Sequence, residues 1–219
     1  MFEKNYVGID LSIPELYFLA KELGLNRLMG MGFDFDTISQ EAKTTIKNET
    51  YNLLNEKKAL EMNFLGETTV NPKYAEIAKF VDSPDYCAVI IEKEGDINRI
   101  RYMYRIENET VCFDTDENVL ITYKFNDNVS ADQFMLYGCN VDVSDIEEEY
   151  KEFNLKTGED VINGSSKFVS FNEFIKESEA YKLVSISFSK REDSVWYVVE
   201  GDEEKGYTLS QVTEQLRIG

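Results

Sequence analysis

The side chains that most often carry catalysis at neutral pH are missing from this sequence. None of its 219 residues is histidine, which removes the usual general acid and base and the commonest metal ligand. A Ser–His or Cys–His nucleophile therefore cannot be assembled. The three cysteines, Cys87, Cys112 and Cys139, are odd in number and lack C-x-x-C spacing, so neither a disulfide framework nor a zinc site is indicated. Each stands among apolar neighbours, as small core residues do. Asp114-Thr115-Asp116-Glu117-Asn118 begins like a calcium loop, with oxygens at the first, third and fifth positions. The sixth position, which needs glycine, is Val119, and the twelfth, which needs glutamate, is Phe125. A hairpin turn is the better reading. No phosphate-cradling loop, nucleophile elbow or dinucleotide fingerprint occurs. A carboxylate pair is what remains for catalysis, yet the acids gather in runs such as Glu147-Glu148-Glu149 that read as solvated surface. The sequence predicts no cofactor, no metal and no enzyme.

Two constellations are suited to binding instead. Arg99, Arg101 and Arg105 recur at every second or fourth residue with Met103 between them, so on a strand all four share one face. Such a patch would grip a partner's carboxylates, because a guanidinium offers paired donors. The same spacing lets acids on neighbouring strands pair with the arginines across a sheet. Trp196 lies within Val195-Trp196-Tyr197-Val198. That run is either buried on both strand faces or left as apolar surface for a partner. The partner-binding candidates are thus Arg99, Arg101, Met103, Arg105 and Trp196.

Charge narrows the partner. Forty-two acids against 23 bases leave −19, a surface that repels phosphates and anionic lipid heads. Nucleic-acid binding and membrane insertion are therefore not expected. Asn48–Met62 could pass for a recognition helix, but it mixes Lys57 and Lys58 with Glu49, Glu56 and Glu61, and a DNA reader needs a basic stripe. No apolar run approaches 18 residues, and no apolar leader follows Met1-Phe2-Glu3-Lys4. The expected location is the cytoplasm.

The elements that must position these residues follow from periodicity. After an extended start over 6–10, Ser12 and Glu15 make a capping box, with Pro14 in the first turn and an apolar stripe of Ile13, Leu16, Tyr17, Ala20 and Leu23. Further helices are expected from Asp36, over about 49–61, and from Asn71-Pro72 to Ser83-Pro84; Leu60–Val70 could hold a short two-stranded wing. From residue 86 the period changes to two, predicting an antiparallel meander through 125. Capping-box spacings at Ser130, Ser144 and Ser170 predict helices near 131–137, 145–154 and 171–178. Strands follow at 182–189 and 195–200; the tail, 207–218, is ambiguous. Helices followed by strands, twice over, predict an α+β fold. A central antiparallel β-sheet would be flanked by helices in two loosely related halves, 1–126 and 127–219, within one globular unit.

Leu11-Ser12-Ile13-Pro14-Glu15-Leu16 through Leu23-Gly24 resembles the opening helix of the EspG-type chaperones of type VII (ESX) secretion. Val70-Asn71-Pro72, the break at Ser83-Pro84, the meander, the late strand with Trp196 and the Gly206-Tyr207 ending follow the same outline. The resemblance spans nearly the whole chain on element order and sparse positions. The Lys/Asn/Ile/Glu-rich usage fits a Gram-positive (firmicute) counterpart. The resemblance implies a cytosolic adaptor that binds a secreted protein substrate, such as a basic toxin or a small helical protein, and keeps it soluble for export. Two alternatives stay open: an acidic immunity protein that neutralises a toxin, and a carboxylate-based enzyme of unknown type.

Overall fold

A computed structural model describes residues 2–25, 27–33, 35–62, 67–139, 146–150, 164–178, 180–190 and 196–199. The chain opens with β1 (Tyr6–Leu11) and turns directly into α1 (Ile13–Glu22). The capping box is present: Glu15 N–H donates to Ser12 Oγ at 3.3 Å and Ser12 N–H to Glu15 Oε2 at 2.6 Å. Glu15 is also buried, and Lys57 Nζ at 2.7 Å neutralises it, tying the start of α1 to the end of the next helix.

That helix, α2, runs over Gln40–Glu56 with Ser39 as its cap. A helix starting at Asp36 and another over 49–61 were expected; a 3-10 turn at Phe35–Thr37 and this single helix stand there instead. The break before Gln40 follows from Ser39, whose hydroxyl accepts from Ala42 N–H at 3.3 Å. The wing forms as β2 (Leu60–Met62) paired antiparallel with β3 (Thr68–Val70). Asn71 caps α3 (Pro72–Asp82).

The period-two region forms β4 (Tyr86–Glu94), β5 (Ile97–Ile106), β6 (Glu109–Asp116) and β7 (Val119–Phe125). Asp127 then caps α4 (Asn128–Leu136), the helix expected at 131–137. The remaining strands are β8 (Ile146–Tyr150), β9 (Lys167–Glu177), β10 (Ala180–Lys190) and β11 (Trp196–Val199). Two expected helices are therefore corrected. Residues 146–150 and 167–177 are strands, and 151–154 lie outside the described residues, as does the tail. In β9, Ser170 and Glu173 have capping spacing but fall on opposite sheet faces, because three residues along a strand reverse the side. Phe168, Val169, Phe171 and Phe174 put apolar groups on both faces of this central strand, which hides the alternation.

One sheet runs in the order β1-β7-β6-β5-β4-β9-β10-β11-β8, antiparallel except for β8, which is parallel to β11. Strands from residues 1–126 and 127–219 join it through the β4–β9 pairing. Helices α1 and α3, with Leu54 of α2, cover one face over Tyr102, Tyr104, Val111 and Phe113. The loop after α1 closes this layer: Met29 carbonyl accepts the Tyr104 hydroxyl at 2.7 Å. Gly30, at φ +70°, lies so near the sheet that a Cβ would stand 2.8 Å from Val89 Cγ2. The opposite face carries α4 over Met103, Cys112 and Phe125.

The β1 edge is guarded. Lys73 Nζ donates to Val7 carbonyl at 2.6 Å and Lys57 Nζ to Asp10 carbonyl at 2.8 Å, occupying acceptors that another strand could use.

Candidate partner-binding face

Strand β5 presents Arg99, Arg101, Met103 and Arg105 to the α4 face, as their spacing requires. The flanking strands supply the counter-charges. Glu92 on β4 stands opposite Arg99, and Asp114 on β6 opposite Arg101. Arg99 grips Asp114 with Nε at 2.8 Å and with Nη2. This hydrogen bonding is the main reason its guanidinium pKa lies above the usual value.

Arg101 is 1% exposed. Its Nη2 is 3.0 Å from Glu92, its Nε is 3.9 Å from Asp114, and Nη1 donates to Met135 carbonyl at the end of α4 and to Cys139 Sγ at 3.6 Å. Gly138, at φ +86°, lets the chain double back there. Burial pushes the Cys139 thiol up to about 11. Arg105 reaches Asp132 of α4 at 3.2 Å and lies over the Tyr86 ring at 5.2 Å. Burial raises the Asp132 carboxyl, opposed by Arg105. Arg101 and Arg105 thus fasten α4 to the sheet, through the Met135 carbonyl and the Asp132 carboxylate, while Arg99 ties β5 to β6. Arg101 is sealed beneath the helix, whereas Arg99 and Arg105 keep partly exposed side chains.

Helix α4 packs over β5, β6 and β7. Beside it, over β4, β9 and β10, lies a cavity of about 350 Å³. Ala88, Ile90, Met103, Phe171, Val184 and Ile186 form its floor, and Met135 and Leu136 its helical wall. Two polar pairs edge it: Arg105 with Asp132, and the Tyr86 hydroxyl donating to Glu173. Burial keeps the Tyr86 hydroxyl well above its ordinary pKa, so this donor stays protonated. An apolar floor with few polar groups at its edge is the usual composition of a binding groove. The reverse side of β9 and β10 is a polar ladder, with Ser185 donating to Asn172 Oδ1 at 2.7 Å and Ser187 to Ser170 at 2.9 Å.

Of the five sequence candidates, Met103 and Arg105 line the groove. Trp196 pairs in register with Lys190 on β11, four strands from β5 or about 19 Å; its side chain lies outside the described residues. Phe171, Ala88 and Ile90 were not foreseen. Val184 and Ile186 come from the strand expected at 182–189, but reading 171–178 as a helix removed the strand that completes the floor. Among the described residues no group of three His, Cys, Asp or Glu side chains is placed to hold a metal ion. No helix among them is long and apolar enough to cross a membrane.

An α+β fold with helices on both faces of a largely antiparallel sheet is shared with the EspG-type secretion chaperones. The particular structure it matches is the Mycobacterium tuberculosis type VII secretion system chaperone EspG5, solved in complex with a PE25–PPE41 dimer. The TM-score is 0.56 at 10% identity, covering 96% of this chain and 94% of that one. At this identity the likeness is one of fold. No family model matches the sequence, and no curated protein does.

Proposed function

We propose that this protein is a cytosolic chaperone that binds a secreted protein of a Gram-positive type VII system and keeps it soluble for export. The observation that carries the reading is the fold likeness, nearly end to end, to a chaperone solved with its bound dimer. The groove beside α4 supports it, being large enough for apolar side chains of a helical client. Met103 and Arg105 would contact the client there, Arg101 would hold α4 in place and Arg99 would brace β5 against β6; Trp196 stays a candidate at the far side of the sheet. Binding without turnover is the expected activity.

Val184→Lys tests the groove. Val184 pairs across the hairpin with Glu173, so a lysine is tolerated by the fold while its charge enters the apolar floor. Co-purification with the product of an adjacent gene should fall at least about ten-fold, with thermal unfolding unchanged. Full retention of the complex would remove the groove from the interface.

The net charge of −19 favours a second reading, an immunity protein covering a basic toxin. Deleting the gene separates the two. Lost export of the partner supports the chaperone, whereas self-intoxication with export intact supports immunity.

A further inference from the structure

Helix α4 divides its sheet face. On the side away from the apolar groove, over β7 and β1, lies a second cavity of about 460 Å³ with a different chemistry. Its walls are aromatic and mutually braced. The Phe134 ring lies 4.7 Å from Tyr123 and 5.3 Å from Phe2, Phe2 is 5.8 Å from Tyr137, and Tyr6 is 6.0 Å from Tyr123. Tyr137 is nevertheless 59% exposed and Tyr6 45%. Rings held by their neighbours but open to solvent on one side lose little freedom when something is placed against them.

The charges lining this cleft do not balance. Glu3, Asp10 and Asp114 face a single cation, Arg99, which leaves −2. Asp114 is already engaged by both arms of Arg99, so that guanidinium offers the cleft little free charge. Asp10 is differently placed. Its Oδ2 accepts the Tyr6 hydroxyl at 2.9 Å, while its Oδ1 is buried with no hydrogen-bond partner. Oδ1 is sealed from solvent, so a donor entering the cleft would meet this carboxylate at Oδ2, beside the Tyr6 hydroxyl. Negative ring faces beside a carboxylate in a cleft of net negative charge are the chemistry that recognises a guanidinium or ammonium group. A flat guanidinium fits between rings better than a compact ammonium does.

We propose that this cleft receives an arginine side chain of a bound polypeptide, stacked against the Tyr137 and Tyr123 rings and paired with Asp10. The proposal rests on the chaperone reading only for the source of that side chain. A second copy of this chain is a poor source, since two surfaces of −19 repel.

The test uses the full chain and two probes, the peptides acetyl-Gly-Arg-Gly-amide and its citrulline counterpart, which keeps the shape and removes the charge. Titration is followed by NMR of the tyrosine ring signals. The arginine peptide should bind about ten-fold more tightly than the citrulline peptide. Asp10→Asn and Tyr137→Ala should each weaken it at least about three-fold, whereas Glu177→Gln, exposed at the end of β9 and five strands from β1, should leave it unchanged. Tyr137 stands largely in solvent, so its variant keeps the fold and the comparison interpretable. Equal binding of the two peptides overturns the proposal. So does a Glu177→Gln effect as large as that of Asp10→Asn, which would trace the affinity to the acidity of the whole chain. Neither titration involves a secreted protein. Peptide binding by a chain that captures no client would therefore refute the chaperone reading and leave the cleft standing, and the reverse result would do the opposite.

Discussion

Tyr104 and Met103 are adjacent on β5 and look out on opposite sides of the sheet. Tyr104 is buried beneath helices and loop, with its hydroxyl on Met29 carbonyl and Phe113 edge-on at 5.8 Å. Met103 also lies buried, but its neighbours are two arginines and the wall of a cavity. The first side is closed by three helices and is almost wholly apolar. The second carries one nine-residue helix, held by ion pairs, with a groove to one side and an aromatic cleft to the other. The difference assigns stability chiefly to the first face, and to the second the room and polar handles that recognition needs.

Truncation on each side gives the largest expected contrast. Phe113→Ala, on the closed face, should lower the unfolding free energy by about 3–5 kcal/mol in urea titrations. Ile186→Ala, in the groove, should cost less than about 2 kcal/mol because the site is half-open already. Equal losses would break the contrast. Arg101→Met comes next, with an expected cost of about 3 kcal/mol, since Glu92 loses its buried partner and α4 loses its carbonyl anchor. A neutral result would mean that the helix is held by its apolar side alone.

The smallest effect concerns the thiols, which are buried on both faces. Burial pushes Cys87 up to about 12 and Cys139 to about 11, from a reference of 9.0. The unfolded chain therefore loses these protons first as pH rises. Stability should be intact below pH 9 and fall above it, by at most about 1.4 kcal/mol per thiol per pH unit. Cys87→Ala and Cys139→Ala together should flatten that slope in pH-dependent urea titrations. Fast reaction of the folded protein with a thiol reagent at pH 8 would contradict the burial.

The meander, α1 and α3 were legible because each is encoded locally, by alternation or by a capping residue; α4 was expected on a Ser130 cap, whereas Asp127 caps it and Ser130 lies in its first turn. The strands β8 and β9 were not legible. The partner of β8, β11, and the second partner of β9, β4, lie far along the chain, and tertiary contact overrode the helix-favouring glutamates of 146–150 and the serine–glutamate spacing of β9. The arginine row was legible as a shared face, and its neighbours decided its role: the counter-charges sit on β4, β6 and α4, at separations that no local pattern displays. The aromatic cleft was invisible for the same reason, since it gathers Phe2 and Tyr6 from the start of the described chain and Tyr123 and Tyr137 from its middle.

The two lysines clamped on carbonyls of β1 have a consequence for this border of the sheet. With those acceptors spoken for, a visiting chain cannot zip on along that border and make the sheet one strand wider. Under the proposed chaperone role, a client at that end of the sheet would be held broadside, by side chains. A grip of that kind would let go without unravelling the sheet's own backbone ladder.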